Sequence, residues 1–220
     1  MTIGDSESEV FTCRYDPMDK YLACGFGDGA VRIYNPGTGR CLFTLCSTVN
    51  QFGECDDMPV CALRWRPATE AMKTQNVLVS AYADGWLKYW HATSGRCLHQ
   101  RQCEDNPDNQ LYTIDYSKDG NLLSTAGKDK YIRIYDEQTK GMVLKMKESE
   151  SLCGHSNRIF CTKWAHISEN ILASGGWDNT VQIYDIRTGG PVISMLGPHI
   201  CGDAIDFSND GYTLLTGSYR

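Results

Sequence analysis

The feature that most constrains this chain is a phrase written four times. In its clearest copy, Ile171, Ala173, Val181 and Ile183 alternate with other residues on either side of Gly175, Gly176, Asp178 and Asn179. Period-two alternation predicts strands with one face buried, and the glycine, aspartate and asparagine between them predict a tight turn. The phrase recurs from Leu22 through Asp28 to Tyr34, from Leu78 through Asp84 to Trp90, and from Leu123 through Asp129 to Tyr135. In all four copies an aromatic residue follows the turn aspartate by six positions.

Each phrase extends both ways. Upstream lies another predicted strand closing on an aromatic: Phe11 to Tyr15, Val60 to Trp65, Leu111 to Tyr116 and Ile159 to Trp164. Ala204 to Phe207 opens a fifth copy. Downstream, turns at Gly39, Gly95, Gly141 and Gly189 lead to a fourth short strand. These strands are Cys41 to Leu45, Cys97 to Gln100, Met142 to Met146 and Val192 to Leu196. The turn aspartates lie 56, 45 and 49 residues apart, near the ~40–45 residue period of four-stranded propeller blades. The surplus falls into insertions at Arg66 to Asn76, Cys46 to Pro59, Arg101 to Gln110 and Lys147 to Cys153. Long surface loops of this kind add little closure entropy.

These residues resemble the WD-repeat β-propeller family. The fourth copy matches best, with Gly154-His155 at its head, Leu172-Ala173-Ser174-Gly175 on its second strand, Asp178 in the turn and Tyr184-Asp185 in place of Trp-Asp. The resemblance implies an all-β fold: four complete four-stranded blades and part of a fifth. It also implies a network that locks each blade, made here by His155, Ser174, Asp178 and Tyr184. Tyrosine for tryptophan moves the polar tip of that network. The matching positions elsewhere are Ser80, Asp84 and Trp90 in copy two and Thr125, Asp129 and Tyr135 in copy three. In copy one they are Cys24 and Asp28. The expected organisation is an N-terminal tail, 1–9, and one propeller, 10–220. Its blades fall near 10–45, 60–100, 111–146 and 159–196, with a partial blade at 200–220.

A propeller of this family is expected to close as a ring, usually of seven blades. The sequence stops at Arg220, where a fifth turn aspartate would stand. Two expectations follow. The chain is a fragment or truncated product of a longer protein, the favoured reading, or a second chain completes the ring.

Composition excludes several function classes. The 220 residues carry a formal net charge of −6, and their basic residues are scattered, which disfavours nucleic acid. No apolar run approaches the ~20 residues of a membrane-spanning helix, and no signal peptide is legible. The expectation is a soluble, cytoplasmic protein, with nuclear or cytoskeletal association open. The eleven cysteines form no C-x-x-C pair, so they read first as small buried hydrophobes with reduced thiols, with disulfides or a metal as the alternatives. No cofactor site and no catalytic residue is legible. His155, Asp178 and Ser174 could be written as a triad, but the same slots recur in copies without a histidine, so their role reads as structural.

The expected function is a non-catalytic scaffold for protein–protein interaction and complex assembly. The alternatives are a peptide-reading, substrate-recognition subunit and a propeller-housed hydrolase. In the resembling fold, fourth-strand-to-next-blade loops and second-to-third-strand turns share one face. That face would carry Glu54, Asp56, Asp57, Glu104, Asp105 and Asp108, opposite Arg40, Arg96, Lys140 and Arg187. Such polarity would steer a basic peptide segment to the acidic side; alternatively the loops are simply solvated. Phe26, Tyr82, Trp177 and Tyr219 flank the turns and are either exposed anchors for a partner or rings packed on neighbouring loops.

Overall fold

The computed structural model describes residues 8–68, 74–103 and 105–219. All its regular elements are strands. The first sheet is β1 (Val10–Tyr15), β2 (Leu22–Phe26), β3 (Val31–Tyr34) and β4 (Cys41–Leu45). The second is β5 (Val60–Trp65), β6 (Val77–Tyr82), β7 (Trp86–His91) and β8 (Arg96–Gln102). The third is β9 (Leu111–Tyr116), β10 (Leu122–Gly127), β11 (Ile132–Asp136) and β12 (Met142–Met146). The fourth is β13 (Ile159–Trp164), β14 (Ile171–Gly176), β15 (Thr180–Asp185) and β16 (Gly190–Leu196). A two-stranded sheet, β17 (Ile205–Phe207) and β18 (Leu214–Thr216), completes the list. In each sheet the strands pair antiparallel in chain order, as short hairpin connections require. Two compact units result, Met1–Leu111 and Tyr112–Arg220.

Burial follows strand rank. The second strands β2 and β6 are buried at every residue, and β10 and β14 at all but their first. The alternation in the sequence had implied one buried face. These strands are buried on both faces instead, and small residues such as Ala23 and Ala126 let the next sheet of the same unit approach. The fourth strands β4, β12 and β16 stay largely exposed.

The same packing solution appears in each unit. In the first, Ala23, Val31, Ile33 and Leu45 of one sheet meet Val60, Leu63, Trp65, Leu78 and Trp90 of the next. In the second, Ala126, Ile132, Ile134 and Met146 meet Ile159, Trp164, Leu172 and Tyr184. Trp65 and Trp164 hold corresponding places. Trp65 Nε1 also donates to Arg14 O at 3.0 Å, tying its sheet to the preceding first strand.

β-Bulges recur at fixed positions. Pairing shifts between Ile33 and Tyr34, Tyr89 and Trp90, Ile134 and Tyr135, and Ile183 and Tyr184. These are the four aromatics that follow the turn aspartates. A bulge adds local twist and re-aims a side chain, and here it accompanies burial of each ring. A second bulge interrupts β1, β5 and β13 just inside their starts, between Val10 and Thr12, Val60 and Ala62, and Ile159 and Cys161.

Packing volume, more than the single indole hydrogen bond, holds Trp65 in place. Trp65→Phe is expected to lower the unfolding free energy by about 1 kcal/mol, and Trp65→Ala by about 3–5 kcal/mol. Urea titrations followed by circular dichroism measure both. Equal losses would assign the effect to the hydrogen bond.

Candidate functional site

The polar groups at the head of the fourth sheet form one chain of hydrogen bonds. His155 Nδ1 lies 2.8 Å from Asp178 Oδ2, and His155 Nε2 lies 2.7 Å from Ser174 Oγ. With a carboxylate on one side, Nδ1 carries the proton and Nε2 accepts from the serine hydroxyl; this tautomer follows from the partners. Ser156 N and Thr180 N and Oγ1 also donate to Asp178. Burial alone would raise the Asp178 carboxyl, but the bonds from His155, Thr180 and Ser156 more than offset it and hold it below the ordinary aspartate value. Gly154 is required beside the histidine, since a Cβ there would sit 1.6 Å from Lys147 O.

The order Ser–His–Asp is that of a hydrolytic triad. Access decides against that use: the side chain of His155 is fully buried and that of Asp178 is 3% exposed, and Ser174 is 0% exposed. No substrate carbonyl can reach Ser174 Oγ without opening the sheet. Tyr184 does not complete the chain. Its hydroxyl donates to Gln182 Oε1 at 2.9 Å and Lys147 O at 3.2 Å, one consequence of replacing an indole by a phenol.

The other copies satisfy their turns differently. In copy two, Trp90 Nε1 donates to Ser80 Oγ at 2.8 Å, as the resemblance implies. Asp84 caps its own turn through Trp86 N. In copies one and three the turn aspartate takes an arginine from the third strand: Arg32 to Asp28 at 2.6 Å and Arg133 to Asp129 at 2.5 Å. Thr125 Oγ1 is buried and without a partner among the described residues. The residue of copy two that corresponds to these arginines is Lys88. It turns instead to Asp57, 2.6 Å away on the preceding loop, with both side chains over 90% buried.

That pairing corrects the surface reading of Asp57. Its carboxylate also accepts from Ser47 N and Oγ and from Thr48 Oγ1. Burial pushes its affinity for a proton up, and these donors with Lys88 pull it net below the usual range. Glu54, Asp56, Asp105 and Asp108 are exposed, and Glu104 lies outside the described residues. On the opposing list Arg40 and Arg96 are exposed. Lys140 is tied to Glu137 and Arg187 to Asp185, so two of those four cations are already matched.

Phe26 and Tyr82 are not exposed anchors. They are 3% and 0% exposed, covered by Arg32 at 4.3 Å and Lys88 at 4.4 Å from their ring centroids. The reason is strand parity. Phe26 and Tyr82 stand two residues before their turn aspartates, whereas Trp177 and Tyr219 stand one residue before that position, so the two pairs face opposite ways. Trp177 is 38% exposed and Tyr219 82%.

Around Trp177 the second unit builds a line of four rings. Tyr112 stacks on Phe160 with centroids 4.6 Å apart and planes at 6°. Phe160 stacks on Trp177 at 4.9 Å and 27°. Trp177 lies over His199 at 6.2 Å and 15°. Arg158 adds its guanidinium 5.3 Å from the Trp177 ring. Phe160 is the extra residue of the β13 bulge, which turns its ring out of the ladder. Sequence reasoning missed Tyr112, Phe160, His199 and Arg158. The second residue of each first strand, which reads Phe11, Cys61, Tyr112 and Phe160 across the copies, was the available signal.

Two cysteines also meet. Cys46 and Cys55 form a disulfide across nine residues of the β4–β5 loop, and nine further cysteines are free. The expectation of reduced thiols throughout therefore fails at this pair, because a loop hairpin brings together residues whose spacing gives no warning. The same sulfurs and Asp57 form the one group among the described residues with the proximity of metal ligands.

Comparison with known proteins places the chain. The family described as "WD domain, G-beta repeat" matches residues 1–35, 95–136 and 146–185, more than half of the sequence. Coronin-7 of Pongo abelii is 29% identical over 166 residues, 74% of this chain and 17% of that protein. The F-box-like/WD repeat-containing protein TBL1X of Mus musculus is 28% identical over 141 residues, 60% of this chain and 24% of that protein. The chain thus spans a quarter or less of either relative. A chain in the crystal structure of the Mitotic Checkpoint Complex superposes with a TM-score of 0.73 at 18% identity, covering 94% of this chain and 56% of that one.

The Asp178 network should show in the acid limb of stability. A carboxyl held below its unfolded value stabilises fully above that value, near 3.8, and the contribution is lost as pH falls through the lower folded one. Asp178→Asn should cost about 1–3 kcal/mol at pH 7, and its deficit against the parent should shrink at pH 3. Paired urea titrations at the two pH values test this; a deficit that persists undiminished contradicts it.

Proposed function

The chain belongs to the WD domain, G-beta repeat family, and from that premise we propose that it is a non-catalytic scaffold whose aromatic line around Trp177 receives a protein partner. The observation that carries the reading is the contrast between two constellations of the second unit. The polar one, His155, Ser174 and Asp178, is sealed. The aromatic one reaches solvent at Trp177 and is held from behind by Phe160 and Tyr112.

A ring fixed by stacking on its neighbours loses little rotamer freedom when a partner covers it, which is why such anchors dominate interface energetics. Arg158 beside it supplies donors, while His199, its Nδ1 donating to Asn179 Oδ1, presents its ring face, so a partner segment with an apolar or aromatic side chain beside an acceptor fits best. This differs from the basic segment expected from loop charge alone. With Asp57 neutralised by Lys88, the acidic rim of the first unit is weaker than its sequence reads.

Affinity purification with mass spectrometry compares the parent with Trp177→Ala. The variant should keep its circular dichroism spectrum and lose its partners by tenfold or more in recovered amount. Retention of every partner by the folded variant overturns the reading. A fluorophosphonate probe that labelled Ser174 would instead favour a hydrolase.

A further inference from the structure

The β4–β5 loop carries an unusual construction. Residues 48–56 fold back as a miniature hairpin with a single ladder bridge, Val49 to Cys55. Asn50 organises its tip. Asn50 N donates to Glu54 O at 2.9 Å, and Gly53 N donates to Asn50 O at 3.0 Å. Phe52 N and Glu54 N donate to Asn50 Oδ1 at 2.9 and 3.0 Å. The tip carries Phe52, which is 77% exposed. An isolated hairpin of this size has too little apolar contact to hold itself in water. Its base is closed by a backbone bond from Asp56 N to Thr48 O at 3.0 Å and reinforced by two further anchors. One is the covalent bond between Cys46 and Cys55. The other is Asp57, which gathers Ser47, Thr48 and Lys88.

We propose that Cys46 and Cys55 are a reversible thiol–disulfide site whose oxidation state decides whether the Phe52 hairpin is fixed or slack. Three observations carry this. Both cysteines are half-buried residues of a surface loop, within reach of a small thiol. Asp57 Oδ2 lies 3.9 Å from Cys46 Sγ and 3.7 Å from Cys55 Sγ, where it can accept from either S–H once the bond is cut, so both states have a place. The sheet beneath does not depend on the bond, because Lys88 and the two hydroxyls hold Asp57 in either state. A metal ion bridging the same sulfurs fits less well. An ion there would have to share Asp57 with the Lys88 ammonium, 2.6 Å from Oδ1, whose positive charge opposes a second cation.

The chemistry balances with a glutathione-class monothiol as reductant. Its thiolate attacks one sulfur, the Cys46–Cys55 bond breaks, and the departing sulfur takes a proton. A second monothiol releases the first as a small disulfide. Two electrons and two protons pass to the protein, which gains two S–H groups.

The test uses the full 220-residue chain, equilibrated in glutathione buffers of rising reduced-to-oxidised ratio, then alkylated and analysed by peptide mass spectrometry. Cys46 and Cys55 should gain two labels together as the buffer becomes reducing and lose them again on reoxidation. Exposed Cys13, Cys41, Cys97 and Cys153 should label throughout. Hydrogen exchange at the amides of Gly53 and Asp56 should quicken at least tenfold on reduction, with the β6 and β7 amides unchanged. Cys46→Ser/Cys55→Ser should match the reduced parent. Free labelling of both sulfurs in fully oxidised buffer, or identical exchange in the two states, overturns the proposal. So does stoichiometric zinc binding that blocks labelling, which would make this a metal site.

Discussion

Asp57, Asp129 and Asp178 are carboxylates seated where water is scarce, with side chains 5%, 10% and 3% exposed. Packed sheets leave little solvent around these groups, and an ionised aspartate there must find donors or neutralise. The chain meets that demand in three ways. Arg133 reaches back four residues along its own hairpin to Asp129, as Arg32 does to the more exposed Asp28. His155 comes from the preceding loop to Asp178. In the second blade the arrangement is inverted: the cation, Lys88, stays on the third strand and the buried acid, Asp57, comes from the loop. Where the loop provides His155, the third-strand position is the neutral Gln182, which bonds to Tyr184 and Cys153 O. The identity of the pair varies from copy to copy while one cationic or proton-donating group per buried acid does not.

This rule separates architecture from function. A serine, a histidine and an aspartate in hydrogen-bond sequence look like catalytic equipment until their burial is considered. The third blade does the same structural task with Arg133, whose guanidinium stays protonated and cannot act as a general base. What remains at the surface is a different chemistry: ring faces, fixed from behind, with an arginine and a histidine alongside.

Much of the strand order could be read in the sequence, because two-residue alternation and glycine–aspartate turns are local signals. Strands such as Val60–Trp65 and Met142–Met146 fall where alternation placed them. What escaped was decided by parity and by distance. Phe26 and Trp177 look equivalent beside their aspartates, yet one residue of offset puts the first inside and the second outside. Lys88 and Asp57, or Cys46 and Cys55, join through a loop whose path no local pattern records. The bulge that turns Phe160 outward is likewise invisible until the partner strand is in place. Asp84 shows the limit of copying a motif: the residue is there, but its blade's cation serves another acid.

Buried acids in this protein are held in place by their cationic partners. A double-mutant cycle on the buried Arg133 and Asp129 tests this directly. Removing the cation alone, Arg133→Met, strands a buried carboxylate and should cost about 3–5 kcal/mol. Removing both, Arg133→Met with Asp129→Leu, should cost less than that single change, because no unpaired charge remains. Losses that simply add across the two substitutions would contradict the claim.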